Sequence, residues 1–417
     1  MELFPYQIEG AKFLANRKRA LLADDPGLGK SAQALVAGQS ILKNHKVTIK
    51  RILILCPNCM LKSWRVMSEE WRKLDDVEYH IINWDKLVHK SWQKRVKASL
   101  STYYLCIADE SHEAVRNPRA VRCKFFMKYI EPFIPYVWFL TATVASKSAG
   151  DYYCTLKMLR PELPLGKYID FQETFCEQEE NPYATNGIKY VGFKNKDVIK
   201  KMFKSVALRR KKEKVLPDLP PKIFTKLPLD LEQYPPRAKG QLSDQTISDL
   251  LDGADNDDIP EEVRIIAQDV GLAKVPSALE WMGGFPEDEA IVIFCWHKSV
   301  ARALHEGLEG SELITGDTPN KEKDRIKDDF QGGKIKRLVA TIASTGVGVT
   351  LTAASNCLCV ELPWSLFRFI QFQDRIHRIG SKGVSTNYTF LLAENTFDRG
   401  LYDNLRSRYK ITEEILG

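Results

Sequence analysis

Short apolar runs rich in β-branched residues alternate along this chain with stretches whose apolar positions recur at helical spacing, the pattern of parallel α/β units. The candidate strands are Ala20 to Ala23, Arg51 to Cys56, Tyr103 to Ala108 and Val137 to Leu140, then Ile291 to Trp296, Leu338 to Thr341 and Cys357 to Glu361. They form two groups, so the fold class expected is α/β with two sheets. From about Asp151 to Gly284 the pattern changes to helical segments, a basic run Arg209-Arg210-Lys211-Lys212 and a proline-rich strip, Leu216-Pro217-Asp218-Leu219-Pro220-Pro221. Adjacent prolines continue neither a helix nor a central strand, so the strip reads as a semi-rigid connector. Asp252 to Glu262 carries six acids in eleven residues and reads as a solvated loop. The division expected is 1–205, with a helical insertion from about 150; 206–285, a connector and insertion; and 286–417.

Length and composition narrow the class. At roughly 100–200 residues per domain, 417 residues make two or three domains. No apolar run approaches the roughly 18 residues of a membrane span, and the start lacks a secretory signal, so a soluble intracellular protein is expected, with no membrane partner. Nine Cys are too few for a disulfide scaffold. The pair Cys56-Pro-Asn-Cys59 has metal or redox spacing but lacks a second pair, so reduced thiols are the simple reading. Net charge is +7 overall, yet residues 1–227 hold 40 Lys+Arg and 24 Asp+Glu while 228–417 hold 21 and 30. A basic half suits a polyanion, and equally a solvated surface.

Three segments carry candidate chemistry. Asp24-Asp25-Pro26-Gly27-Leu28-Gly29-Lys30-Ser31 lies between an apolar strand and a helical pattern, the context of a phosphate loop. Gly27 and Gly29 let backbone N–H groups face a polyphosphate, Lys30 supplies charge, and Ser31 offers a hydroxyl to Mg²⁺. A strict phosphate loop has Gly where Asp24 stands. Asp109-Glu110-Ser111-His112 follows a strand directly: Asp109 suits a Mg²⁺ held through water and Glu110 a general base, or both are helix-capping acids. In Gln371 to Gly380, Arg375 and Arg378 are three apart and on a helix would share a face, reaching one anionic group or lying on a surface independently.

This ordered set resembles helicase superfamily two, specifically the Swi/Snf-type family of double-stranded-DNA translocases. Gln7 in Phe4-Pro5-Tyr6-Gln7 matches the adenine-reading glutamine, and Asp24 to Ser31 matches motif one, whose family form begins with Asp. Leu55-Cys56-Pro57 with Trp64 resembles motif one-a, Leu140-Thr141-Ala142-Thr143 motif three, Ser344 to Ala354 motif five and Gln371 to Gly380 motif six. Arg209-Arg210 with Val215 to Lys222 resembles the inter-lobe stretch. The Ser of Asp-Glu-Ser-His and Gly348 to Thr350 are similar to the annealing and fork-remodelling branch. Departures are Ser31 for Thr, Pro26 for Met, and Ser381 where Gln follows Gly380.

The resemblance implies two RecA-like doubly wound parallel-sheet lobes with helical insertions, ATP and Mg²⁺ as cofactors, and DNA as partner through largely sequence-independent backbone contacts. It implies that Lys30, Asp109, Glu110, Arg375 and Arg378 are catalytic, and that Gln7, Asp25, Gly27, Gly29, Lys30, Ser31, Gly346 and Asp374 bind nucleotide. Ser31 and Asp109 would serve the metal, and His112, Thr141, Thr143, Gln371, Trp64, Arg209 and Arg210 DNA contact or coupling. Among aromatics, Trp71, Trp84, Trp92, Trp296 and Trp364 read mainly as core, with Tyr190 and Phe193 better stacking candidates. The expected protein is a monomeric DNA-dependent ATPase acting on duplex, forked or junction DNA. The economy of the chain suits a compact viral or mobile-element enzyme. A protein-displacing translocase, or a motor subunit of a chromatin- or restriction-type complex, is the alternative.

Overall fold

The computed structural model describes residues 2–45, 50–142, 148–180, 187–231, 242, 246–247, 250–251, 259–345, 349–381 and 383–416. The chain divides into two compact units, Met1–Val215 with Lys410–Gly417, and Leu216–Tyr409.

The first unit holds a sheet of β1 (Arg19–Leu22), β2 (Arg51–Cys56), β3 (Glu78–Asn83), β4 (Leu105–Asp109), β5 (Tyr136–Leu140) and β8 (Ala207–Leu208), all parallel, in the order β3-β2-β4-β5-β1-β8. Strands β4 and β5 are buried along their whole length because helices cover both faces, which is why they read as unbroken apolar runs. The Lys30–Asn44 helix lies so close to the sheet that a Cβ on Gly38 would sit 2.8 Å from the Leu105 side chain. The register decides where chemistry can occur: Leu140 of β5 pairs with both Leu22 of β1 and Asp109 of β4, so the carboxyl ends of three adjacent strands are level.

The stretch after β5 forms helices Tyr152–Leu159, Tyr168–Phe175 and Lys196–Phe203 and an antiparallel hairpin, β6 (Glu177–Glu180) with β7 (Ile188–Val191). An aromatic cluster holds it to the sheet: Tyr152 meets Phe203 at 5.2 Å and Phe193 at 6.1 Å between ring centroids. Phe193 is buried there, a packing residue rather than a stacking platform, whereas Tyr190 is only partly buried against the same core. Ile415 belongs to this core, and Lys196 pairs with Glu414 at 3.1 Å.

The second unit carries β9 (Lys222–Leu229), β10 (Ile291–Cys295), β11 (Ser311–Ile314), β12 (Arg337–Thr341), β13 (Asn356–Cys359) and β14 (Thr386–Ala393), parallel in the order β11-β12-β10-β13-β14-β9. The proline strip runs directly into β9: Thr386 N donates to Pro221 O at 2.9 Å, and His377 Nε2 bonds Pro220 O at 2.8 Å. Pro228 is tolerated because β9 is an edge strand. No described helix is long and apolar enough to cross a membrane.

Two expectations change. The boundary at 205 moves to Val215, because β8 at 207–208 completes the first sheet, and the chain's last eight residues leave the second unit for the first. The predicted strands all form, with ends shifted by one or two residues, but β3, β8, β9 and β11 were not anticipated. These four are the sheet edges, where one side lacks a neighbouring strand and the residues are shorter in apolar run and richer in polar groups. The interior β14 was hidden by Thr386, Asn387 and Thr389, and most of the Asp252 to Glu262 loop lies outside the described residues.

One buried ion pair fixes the second unit. Lys274, 1% exposed, donates to Asp398 Oδ2 at 2.7 Å and Leu391 O at 3.2 Å, while Asp398 also accepts from Ala393 N at 3.0 Å. Lys274→Ala leaves Asp398 charged and buried, and is expected to cost about 3–5 kcal/mol in a denaturant titration. The double replacement Lys274→Met with Asp398→Leu should recover much of that loss.

Candidate active site

The segment after β1 turns through two left-handed glycines, Gly27 at φ 83° and Gly29 at φ 74°, before the Lys30–Asn44 helix begins. Both values favour glycine, and a Cβ on Gly29 would stand 2.4 Å from Gln7 Nε2. Gln7 is docked on the loop: its Nε2 donates to Leu28 O at 3.2 Å, and its Oε1 accepts from Phe4 N at 3.0 Å. Lys30 closes the loop from the other side, donating to the carbonyls of Asp24 at 2.8 Å and Asp25 at 3.4 Å. Ser31 follows in the first helical turn, where unpaired N–H groups and the helix dipole favour an anion.

Asp24 and Asp25 anchor this loop. Asp24 has no exposed surface; it accepts from Arg210 N at 3.1 Å, Nε at 3.0 Å and Nη2 at 2.5 Å, and from Gln33 Nε2 at 3.2 Å. The same guanidinium donates to Tyr6 O and to Gln33 Oε1, joining three elements. Arg209 Nη2 reaches Asp25 Oδ1 at 3.3 Å and its Nη1 reaches Ala142 O at 3.2 Å; Asp25 Oδ2 accepts from Lys212 N at 2.9 Å. Arg209 and Arg210, expected in DNA contact or coupling, are buried clamps on the loop, with side chains 2% and 11% exposed, and do not offer their charge to DNA. Asp25, expected at the nucleotide, is held by the Arg209 guanidinium and the Lys212 amide. The Asp in place of glycine at 24 was the sequence signal for this clamp.

The level strand ends bring the second group beside the loop. Asp109 is buried, accepts Trp64 Nε1 at 2.7 Å on its carboxylate, and gives its carbonyl to Trp84 Nε1 at 2.8 Å. Burial pushes its pKa above the ordinary carboxylate range, with the Trp64 bond and the Lys30 charge pulling it back. Trp64, expected to touch DNA, is fully buried and orients Asp109; Trp84 shares that task, and periodicity gave no sign of either role. Glu110 adopts φ 44°, a conformation costing a non-glycine residue on the order of 1–3 kcal/mol. Its Oε2 lies 3.6 Å from His112 Nδ1, which bonds Thr141 Oγ1 at 2.8 Å beyond the end of β5. Thr143 lies outside the described residues.

In the second unit, Gln371, Asp374 and Arg375 are buried on the Leu366–Ile376 helix. That helix ends before His377, at φ −108° and ψ 83°, so Arg375 and Arg378 do not share a helical face as expected. Arg378 folds back instead, with Nε on Asp374 O at 2.7 Å and Nη1 on Thr350 Oγ1 at 3.0 Å. Burial lowers its pKa, and the Asp374 charge opposes that. The Asp374 carboxylate pairs with Lys222 of β9 at 3.4 Å. Gly346 lies outside the described residues.

A glycine cradle at a helix start, a lysine across it and a buried carboxylate on a level strand end are the parts of a site suited to a polyphosphate. Residues 6–112 match the SNF2-related domain, and residues 277–380 match the helicase conserved C-terminal domain. The "SWI/SNF-related matrix-associated actin-dependent regulator of chromatin subfamily A-like protein 1" of Xenopus tropicalis is 26% identical over 98% of this chain and 44% of its own length. The "DNA annealing helicase and endonuclease ZRANB3" of Mus musculus is 24% identical over 100% of this chain and 41% of its own length. The chain thus spans less than half of either relative. A Sulfolobus solfataricus SWI2/SNF2 ATPase core solved in complex with dsDNA covers 100% of this chain and 93% of its own, at 21% identity and a TM-score of 0.43. The chain thus carries one stretch similar to an SNF2-related domain and one similar to a helicase conserved C-terminal domain, and a DNA annealing helicase is among the proteins it resembles.

Arg210→Ala strips Asp24 of its cation and frees the loop from Tyr6 and Gln33. It is expected to weaken binding of a nucleotide analogue at least about tenfold, or about 1.4 kcal/mol, by calorimetric titration. Binding at the unaltered affinity would show that the clamp does not shape the loop.

Proposed function

We propose that this chain is an ATP-driven DNA translocase that moves on duplex or branched DNA and remodels forks or junctions. The observation that carries the reading is the level row of strand ends, which sets the Lys30 loop, Asp109-Glu110 and Thr141 side by side. The name of one relative, a DNA annealing helicase, supports the choice of DNA. So does the basic balance of residues 1–227.

The residues fit ATP with Mg²⁺. Both glycines keep side chains out of the cradle, Lys30 donates to the Asp24 and Asp25 carbonyls and acts by charge on Asp109, and Asp109 is a buried carboxylate whose ionisation a cation would favour. Ser31 and Asp109 would hold the metal, which when bound neutralises phosphoryl charge. Gln7 sits on the loop where it orients the base, and Lys30 exchanges its carbonyl partners for phosphate oxygens. Glu110, its backbone fixed in a strained turn, accepts the proton of the attacking water. His112 and Thr141 transmit the state of Glu110 to the end of β5. Arg375 and Arg378 stabilise the charge that develops on the transferring group.

Lys30→Ala is expected to reduce ATP turnover to background; normal turnover would remove the phosphate-loop assignment. Arg378→Ala should bind nucleotide normally yet hydrolyse it roughly 10³–10⁵ times more slowly, and an unchanged rate would end its role as a finger. ATPase rates at fixed salt, without nucleic acid and with single strands, linear duplex, a fork, a four-way junction or RNA, test the substrate. Forks and junctions should stimulate most. Equal stimulation by plain duplex favours a protein-displacing translocase, and a preference for RNA overturns the reading.

A further inference from the structure

The surface cations of the two units are treated differently. On the 298–334 surface of the second unit several cations are matched by acids: Lys298 and Arg302 share Asp317, while Arg325, Lys327 and Lys334 each contact a carboxylate within 3.1 Å. One face of the first unit does the opposite. Residues 84–98 and 116–130 hold ten Lys and Arg and a single acid, Asp85. Asp85 pairs with Arg122 at 3.1 Å, and Arg116 lies 3.7 Å from Asp151. Among the described residues, no carboxylate lies within ion-pair distance of Lys90, Lys94, Arg95, Lys97, Lys124 or Lys128.

These cations form one surface. The Lys90–Ser99 helix buries Val96 and turns Lys90, Lys94, Arg95 and Lys97 to solvent. Lys97 Nζ lies 3.7 Å from the centre of the Tyr129 ring and 5.7 Å from that of Phe125, which joins this helix to the 121–130 segment. Lys128 approaches Tyr129 from 5.2 Å. Arg122 on Asp85 ties the same segment to the turn before the helix, where Lys86 at 4.2 Å and Arg95 at 5.2 Å both lie over Trp92. Aromatic faces attract cations without neutralising them, so they restrain the side chains and leave the charge available.

Like charges at neighbouring positions repel when no carboxylate lies between them. An anion of matching extent removes that repulsion, and the contacts that hold a polyphosphate backbone are of this kind. None of these side chains belongs to the nucleotide cradle or to the Asp109–Glu110–Thr141 row. We propose that this face, built from the Lys90–Ser99 helix and the 116–130 segment, is a second nucleic-acid contact that holds the phosphate backbone of a duplex arm outside the motor's own track. The assignment rests on the DNA-translocase reading above. A motor acting on branched DNA has such an arm to hold, and a strip of this composition restrains it without reading its sequence.

The test is the salt dependence of DNA binding by the whole chain. Lys94→Ala, Arg95→Ala and Lys97→Ala together remove three exposed cations, so the slope of log affinity against log salt should become shallower by about 2–3, each phosphate contact being worth about 0.9. ATP turnover without DNA should be unchanged, and Lys94→Arg with Lys97→Arg should keep the original slope. The loss should be larger on a fork or four-way junction than on a linear duplex. If the unaltered protein binds no DNA, the translocase reading falls and this one with it. If the unaltered protein binds and the triple variant keeps the same slope on all three DNAs, only the surface assignment falls. It falls equally if the triple variant keeps that slope and loses binding to an acidic protein instead.

Discussion

A carboxylate with no exposed surface is the constraint on which the first unit is built. Asp24 stands where a phosphate loop ordinarily has glycine, and its burial would be prohibitive without cations and amides around it. Arg210 meets that demand with three of its nitrogens. Because the same guanidinium also holds Tyr6 and Gln33, satisfying Asp24 fixes the helix that carries Gln7 and the helix that begins at Lys30. Arg209 repeats the arrangement one residue on, between Asp25 and the carbonyl of Ala142 just past β5. The loop is thus held from beneath by charge, and its upper side keeps the glycines and the lysine for a ligand.

The row formed by β1, β4 and β5 follows from register alone, yet it is occupied at a cost. Asp109 is raised in pKa by burial, and Glu110 carries a left-handed backbone. Neither helps the fold. Two tryptophans offset part of the burden, Trp64 by bonding the Asp109 carboxylate and Trp84 by bonding its carbonyl. Strain and desolvation kept at adjacent residues, and supported by buried indoles, are what a site held ready for a charged ligand requires.

Much of this was legible in the sequence because the signals are local. The glycine spacing at 27 and 29 dictates positive φ whatever surrounds it, and the apolar runs of β2, β4, β5, β10 and β12 report burial on both faces. Partners distant along the chain were not legible. Arg209 and Arg210 look like any basic pair until β8 brings them beside β1, some 184–186 residues from the acids they bind. Trp64 resembles a family motif residue, and only the fold turns its indole inward to Asp109. Arg375 and Arg378 were placed on one face by a helical period that the backbone abandons after Ile376. The edge strands escaped because a strand with one neighbour needs no continuous apolar run.

The same distinction bears on the meaning of charge. A basic excess over residues 1–227 is one number in the sequence, but the fold separates it into two physical kinds. Arg209 and Arg210 are consumed internally, since their charge is already matched by Asp24 and Asp25 and none remains for a partner. The cations over Trp92 and Tyr129 are restrained by rings that leave their charge intact. A counterion-release argument counts only the second kind, because only a cation lacking a protein anion displaces salt from a phosphate. Net charge by itself would assign both groups to the polyanion; burial and pairing withdraw Arg209 and Arg210 and leave the face around the Lys90–Ser99 helix available.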